Sequence, residues 1–164
     1  MDLMTFMKDR VVPIYLNEPP EDEKFCEIAL RSKEASTWIE KRAKKGLQTA
    51  AGTVLTLEDL KTAMNSGASF AITPIFNELV VETALEEGFP IIPGVQTANE
   101  IFKAIQHVKL IKFFPAYHIR TVIAPFLHTG AKFIATGSVQ WYNYKDYLNM
   151  EGVHAVTGTG FVKS

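Results

Sequence analysis

Cysteine is almost absent from this chain. The single one, Cys26, excludes an intramolecular disulfide framework and the small stapled domains that depend on it. Charge of one sign is not in excess either: 17 basic residues stand against 18 acidic ones, so no overall field favours nucleic acid or an anionic membrane. No uninterrupted apolar run approaches the roughly 20 residues of a membrane span. The opening MDLMTFMKDRVVP has neither the long apolar region nor the small-residue cleavage site of a secretory signal. These absences predict a cytoplasmic protein that binds small molecules, with no nucleic-acid or membrane partner. Paired histidines are lacking too. His107, His118, His128 and His154 do not stand at the spacing of a zinc-binding helix, so no metal is expected.

What is present is apolar material in a regular beat. At 164 residues and 47% hydrophobic composition, residues 1–164 are most simply one globular domain. Short apolar runs predict eight strands, at 10–16, 25–30, 47–55, 69–74, 89–95, 110–116, 132–139 and 153–160. Between most of them lie helix candidates such as SKEASTWIEKRAKK, TLEDLKTAMNSG, NELVVETALEEG and TANEIFKAIQH, several opening on Ser, Thr or Asn and closing near Gly. Strand alternating with helix implies a parallel sheet, and eight such units imply a closed TIM-type (β/α)8 barrel.

That barrel must be compact. Eight units share 164 residues, about 20 each, whereas a typical barrel of about 250 residues has roughly 31. Between the first two strands lies only NEPPEDEK, where Pro19 and Pro20 forbid a regular helix. Eight extended residues still reach about 28 Å, enough to return along a short strand. The first crossover helix is therefore expected to be missing, as is a closing helix after the eighth strand. The outer faces of the first two strands would lie bare unless residues 1–9, with Leu3, Met4, Phe6 and Met7, or a neighbouring subunit cover them.

Two stretches carry charge into this apolar framework. In FCEIALR, side chains alternate, so Glu27, Ala29 and Arg31 share one face while Cys26, Ile28 and Leu30 share the other. The apolar set suits the outside, beneath helices, which points Glu27 and Arg31 into the barrel, Arg31 near its C-terminal rim. In KLIKFFPA, Lys112 alternates with Leu110 and Phe114 and can point inward as well. A lysine, a carboxylate and an arginine converging in an apolar cavity suit carbanion chemistry beside a keto acid. Desolvation disfavours an ammonium group, and bringing a lysine pKa from about 10.4 to about 7–8 raises its free-amine fraction several hundred-fold. A free amine forms a Schiff base with a carbonyl, which withdraws electrons from the adjacent carbon–carbon bond. The guanidinium fork of Arg31 fits a carboxylate, and Glu27 is placed to move protons. An internal salt-bridge network explains the same three charges, and spacing alone does not separate the two readings.

The blocks FCEIALR, AAGTVLT, GASFAITP, IPGVQTANE, IKFFPA, NYKDYL and VTGTGFV occur in the order and approximate spacing of the 2-keto-3-deoxy-6-phosphogluconate (KDPG) and 4-hydroxy-2-oxoglutarate (KHG) aldolase family. The chain resembles that family over about residues 10–163. The resemblance implies a class I lyase of carbohydrate metabolism that reversibly cleaves a 4-hydroxy-2-keto acid to pyruvate and an aldehyde, with no cofactor. It assigns Lys112 to the Schiff base, Glu27 to general acid/base work and Arg31 to the pyruvate carboxylate. Gly52, Thr53, Pro74, Pro93, Gly94 and Phe114 match positions lining the pyruvyl pocket, although strand-end turns and core packing also account for them. The family commonly forms trimers, so a homo-oligomer is expected.

The departures are as specific. The segment after FFPA runs straight into YHIRTVIAPFL without the Gly-Gly turn of relatives, and ATGSV stands where relatives carry a Gly-Gly pair. Loops after the seventh and eighth strands often bind phosphate, which makes Gly137, Ser138, Gly158 and Thr159 candidates, with ordinary turn chemistry as the alternative. His118 and Arg120 are candidates for substitute charge contacts, though an exposed loop is the simpler place for them. Two other readings of the chain stay open: a trimmed barrel acting as scaffold or small-ligand binder, and decarboxylation of a keto acid such as oxaloacetate by the same Schiff base.

Overall fold

A computed structural model describes residues 2–7 and 10–163, apart from the Phe6 side chain. It contains strands β1 (Val11–Tyr15), β2 (Phe25–Ala29), β3 (Gln48–Gly52), β4 (Phe70–Ile72), β5 (Ile91–Ile92), β6 (Gly94–Val95), β7 (Leu110–Phe113), β8 (Lys132–Thr136) and β9 (Val153–Gly158). Every pairing is parallel, in the order β5-β4-β3-β2-β1-β9-β8-β7-β6. The two ends of this sheet are adjacent in sequence, so the ring closes through Pro93 into a TIM-type barrel.

Nine strands replace the expected eight because Pro93 divides the run at 89–95. Proline donates no backbone N–H, so the chain changes partner there. Ile91 and Ile92 pair with β4, whereas Lys112 N donates to Pro93 O at 2.8 Å and Phe114 N donates to Val95 O at 3.0 Å. Gly94 N finds the Thr73 hydroxyl at 3.0 Å in place of a backbone acceptor.

The helices are α1 (Leu3–Phe6), α2 (Ala35–Lys44), α3 (Leu57–Asn65), α4 (Glu78–Glu86), α5 (Ala98–Ala104), α6 (Ile119–Ile123) and α7 (Tyr144–Leu148). Local chemistry starts four of them: Asp2 caps α1, Thr56 and Asp59 form a reciprocal capping box on α3, Thr97 and Glu100 do so on α5, and Asn77 caps α4. Between β1 and β2 there is no helix, and the strands pair directly with Ile14 opposite Glu27.

The outer faces of β1 and β2 are not bare, and the N-terminal segment is not what covers them. Tyr15 packs outward in one cluster with Cys26, Ile28 and the α2 residues Ala35 and Ile39, and its hydroxyl donates to Glu23 Oε2 at 3.0 Å. Buried Arg42 of α2 holds the same loop, donating to Glu23 O and Thr49 Oγ1, each at 2.8 Å. Leu3, Met4 and Met7 instead close the bottom of the barrel, where Met7 packs with Val12, Phe70, Leu110 and Ile134. An open barrel end exposes the interior of every strand, whereas an outer face needs only its neighbours. Met7→Ala, which empties a fully buried position, is expected to cost about 2–5 kcal/mol of stability in urea denaturation.

The interior changes character from bottom to top. Below, Phe70, Ile72, Ile92, Leu110 and Ile134 fill the barrel. Above them the inward positions of β2 and β3 are Ala29 and Gly52, too small to fill it, and a cavity opens at the C-terminal end of the strands.

Candidate active site

The cavity has a volume of about 360 Å³, and Lys112 and Glu27 both line it. Strand alternation places them as expected: Ile111 and Phe113 pack outward with Ile101 of α5 and Ile119 of α6, which turns Lys112 inward. Lys112 Nζ lies 3.7 Å from Glu27 Oε1, and the two residues are only 5% and 1% exposed. Glu27 Oε2 is buried without a hydrogen-bond partner among the described residues. Burial pushes the Glu27 pKa up, outweighing the opposing pull of Lys112. The carboxyl is thereby poised to hold a proton that a reacting group can take. Across the cavity wall, the Phe114 ring centroid lies 5.5 Å from Lys112 Nζ.

Gly52 does not line the cavity, and its role is to leave room. A Cβ built on it would stand 2.0 Å from Glu27 Oε1 and 2.7 Å from the carboxyl carbon, so only glycine lets the Glu27 side chain lie where it does. Gly94 is likewise structural in position, with a built Cβ 2.5 Å from backbone atoms of Thr73 and Pro74. Pro93 sits at the strand division and does not line the cavity. These three positions support the wall from behind.

The other expected residues are brought together at the mouth. Arg31, Thr53, Pro74, Phe114, Gly137, Ser138, Gly158 and Thr159 all line the cavity. Arg31 is exposed, and its guanidinium makes no ion pair or hydrogen bond to the described residues, leaving it open to an anion. Thr53 and Ser138 adopt left-handed backbone conformations, with φ of 58° and 59°, unusual for residues with a Cβ and frequent where a mouth is being shaped. His118 and Arg120 are exposed and do not line the cavity.

Ala29 lines the cavity on the face it was expected to share with Glu27 and Arg31, and four further lining residues escaped the sequence reading: Ile14, Thr136, Val139 and Gln140. Ile14 was legible in principle, because it pairs with Glu27 in register, and Thr136 follows Ile134 by two. Gln140 had no signal. Away from the cavity, Glu78, Glu82 and His107 bring ligand atoms within 4.8 Å of one another, and His107 Nε2 is 3.5 Å from Glu78 Oε1. The two carboxylates are exposed on α4, where such groups are common without an ion.

The family model described as KDPG and KHG aldolase matches residues 22–164, a span that includes both buried charges and the whole mouth. The chain belongs to the KDPG and KHG aldolase family. A 2-dehydro-3-deoxy-phosphogluconate aldolase of Treponema pallidum (strain Nichols) is 38% identical over 117 residues, covering 68% of this chain and 56% of that relative. One of the same name from Haemophilus influenzae is 33% identical over 147 residues, covering 84% of this chain and 68% of the relative. The chain thus spans between about half and two thirds of the length of these family members. The solved structure of a KDPG aldolase from Legionella Pneumophila, holding pyruvate captured at low pH as a covalent carbinolamine intermediate, matches with a TM-score of 0.84 at 25% identity. That match covers 94% of this chain and 84% of the other. Among the described residues, no helix is long and apolar enough to cross a membrane.

Proposed function

We propose that residues 1–164 act as one barrel domain, a class I aldolase that reversibly cleaves a 4-hydroxy-2-keto acid to pyruvate and an aldehyde. The observation that carries this reading is the buried Lys112–Glu27 pair, 3.7 Å apart on a cavity whose mouth holds the unpartnered Arg31. The free Lys112 amine attacks the C2 carbonyl, and Glu27 gives its proton to the departing C2 hydroxyl, so that loss of water leaves an iminium that withdraws electrons from C3 and an ionised Glu27. Ionised Glu27 then takes the proton from the C4 hydroxyl. The C3–C4 bond breaks, its electron pair forming an enamine on the pyruvyl fragment while C4 leaves as the aldehyde. Glu27 returns its proton to C3, and water hydrolyses the iminium to pyruvate and the free amine, the proton released going back to Glu27. Arg31 holds the keto-acid carboxylate and thereby orients C2 toward Lys112.

The carbinolamine in the Legionella relative supports the covalent route. The direct test here is borohydride reduction in the presence of pyruvate, followed by mass spectrometry of the digested protein. A reduced pyruvyl adduct on Lys112 is the expected result. A folded protein without an adduct would leave the pair as an internal ion pair and the barrel as a scaffold or small-ligand binder.

Gly52→Ala gives an independent check on Glu27. Its methyl displaces the carboxyl, so kcat is expected to fall about 10²-fold while the pyruvate adduct on Lys112 still forms. The same reading makes the protein a cytoplasmic homo-oligomer, trimeric by family resemblance. Exposed Leu79 on α4 and Phe102 on α5 are compatible with burial between subunits, and light scattering measures the outcome.

A further inference from the structure

Two buried hydroxyls face each other inside the barrel, and the mechanism above uses neither. Thr136 at the end of β8 and Thr157 on β9 stand in register, with their Oγ1 atoms 2.7 Å apart. They are 3% and 1% exposed, and neither side chain has another hydrogen-bond partner among the described residues. Of the two, only Thr136 lines the cavity. The pair therefore has two protons and one bond between them, and burial decides which way that bond runs. If Thr136 donated, the Thr157 proton would be shut in the barrel wall, away from the cavity, with no acceptor. If Thr157 donates, its proton is used and the Thr136 proton is left for a group in the cavity. That second arrangement satisfies both hydroxyls as soon as a substrate oxygen arrives.

The place of that donor picks out the oxygen. Lys112 pairs in register with Ile134, so Thr136 stands one inward position nearer the mouth on the neighbouring strand. Glu27 and Arg31 come from the other side of the ring, on and just beyond β2. With the carboxylate drawn toward Arg31 and C2 joined to Lys112, C3 and C4 extend toward β8. The C4 oxygen then lies between Glu27, which takes its proton, and Thr136, which donates to it. We propose that Thr157 is a positioning residue for C3–C4 cleavage: by donating to Thr136, it fixes the Thr136 hydroxyl as a donor to the C4 oxygen. Negative charge collects on that oxygen as Glu27 removes its proton, and a donor already aimed at it needs no reorganisation. A hydroxyl that itself accepts a hydrogen bond is also the stronger donor. No proton changes hands at either threonine, since both act by hydrogen bonding alone. This inference rests on the aldolase reading above.

The experiment compares two readouts of one protein. Cleavage of 4-hydroxy-2-oxoglutarate or KDPG, whichever the parent turns over faster, passes through the C4 oxygen. Exchange of the pyruvate methyl protons in deuterium oxide, followed by proton NMR, needs Lys112 and Glu27 but involves no C4. Thr157→Val, which keeps the volume, is expected to lower kcat for cleavage about tenfold with KM and the exchange rate unchanged. Thr157→Ser, which restores the hydroxyl, is expected to return cleavage to near the parental rate. Unchanged cleavage in Thr157→Val, or no recovery in Thr157→Ser, would overturn the inference. Equal loss of cleavage and exchange would overturn it as well, because a merely structural hydroxyl gives that result. The parent keeps the two failures apart. A parent that exchanges methyl protons and cleaves, with variants that behave otherwise than expected, defeats this inference alone, whereas a parent that exchanges none or cleaves neither acid defeats the aldolase reading and this inference with it.

Discussion

Lys112→Ala, treated with pyruvate and borohydride, is expected to emerge with its mass unchanged, and its aldol cleavage to fall by about 10⁵-fold or more. The size follows from losing a covalent route, since among the described residues no other amine lines the cavity. Loss of fold is a poor alternative explanation for that result. Removing the lysine strands Glu27, but burial already raises the Glu27 pKa, so the carboxyl takes up a proton and no bare charge is left in the core. Lys112→Met, which keeps the volume, controls for packing, and circular dichroism and urea denaturation of both variants verify the fold. Near-parental cleavage in either variant would remove Lys112 from the mechanism.

Glu27→Gln is the second large effect. The amide keeps the shape of the carboxyl but moves no proton, so kcat is expected to drop about 10²–10⁴-fold while the Lys112 adduct with pyruvate persists. Stability is expected to move the other way. Because the folded-state pKa of Glu27 lies above its ordinary 4.5, the native state binds the proton more tightly than the unfolded chain. The corresponding stability is fully present below about pH 4.5 and is lost as pH rises through the raised value. Glutamine does not titrate. The urea midpoint of the variant, measured relative to that of the parent, is therefore expected to rise as pH increases from about 4.5 through the raised value. A parent that gains stability relative to the variant over that window would show that the ionised Glu27–Lys112 pair is net favourable and would favour a structural role.

Lys112 and Glu27 act on the pyruvyl fragment itself, so changing them alters cleavage and pyruvate exchange together. Thr157 lies behind Thr136 and does not line the cavity, and its valine variant is expected to lower cleavage while leaving exchange intact. The contrast between the two sets of variants is a stronger test than either alone.

Much of this was legible in the chain itself, and the reason is locality. Period-two alternation in FCEIALR and KLIKFFPA turned Glu27 and Lys112 inward and Cys26 and Ile111 outward, because a strand offers only two faces. Thr56 with Asp59 and Thr97 with Glu100 announced the starts of α3 and α5, since a cap is made within four residues. Pro19 and Pro20 ruled out a helix between β1 and β2 by removing donors and clashing with the preceding turn. Tertiary structure decided whatever depends on how the strands meet around the ring. The approach of Gly52 to Glu27, the partner change at Pro93, the closure of the barrel bottom by Met7 and the arrival of Gln140 at the mouth are contacts between segments set by barrel stagger and closure. No local period encodes them, because each distance depends on both segments and on everything packed between them.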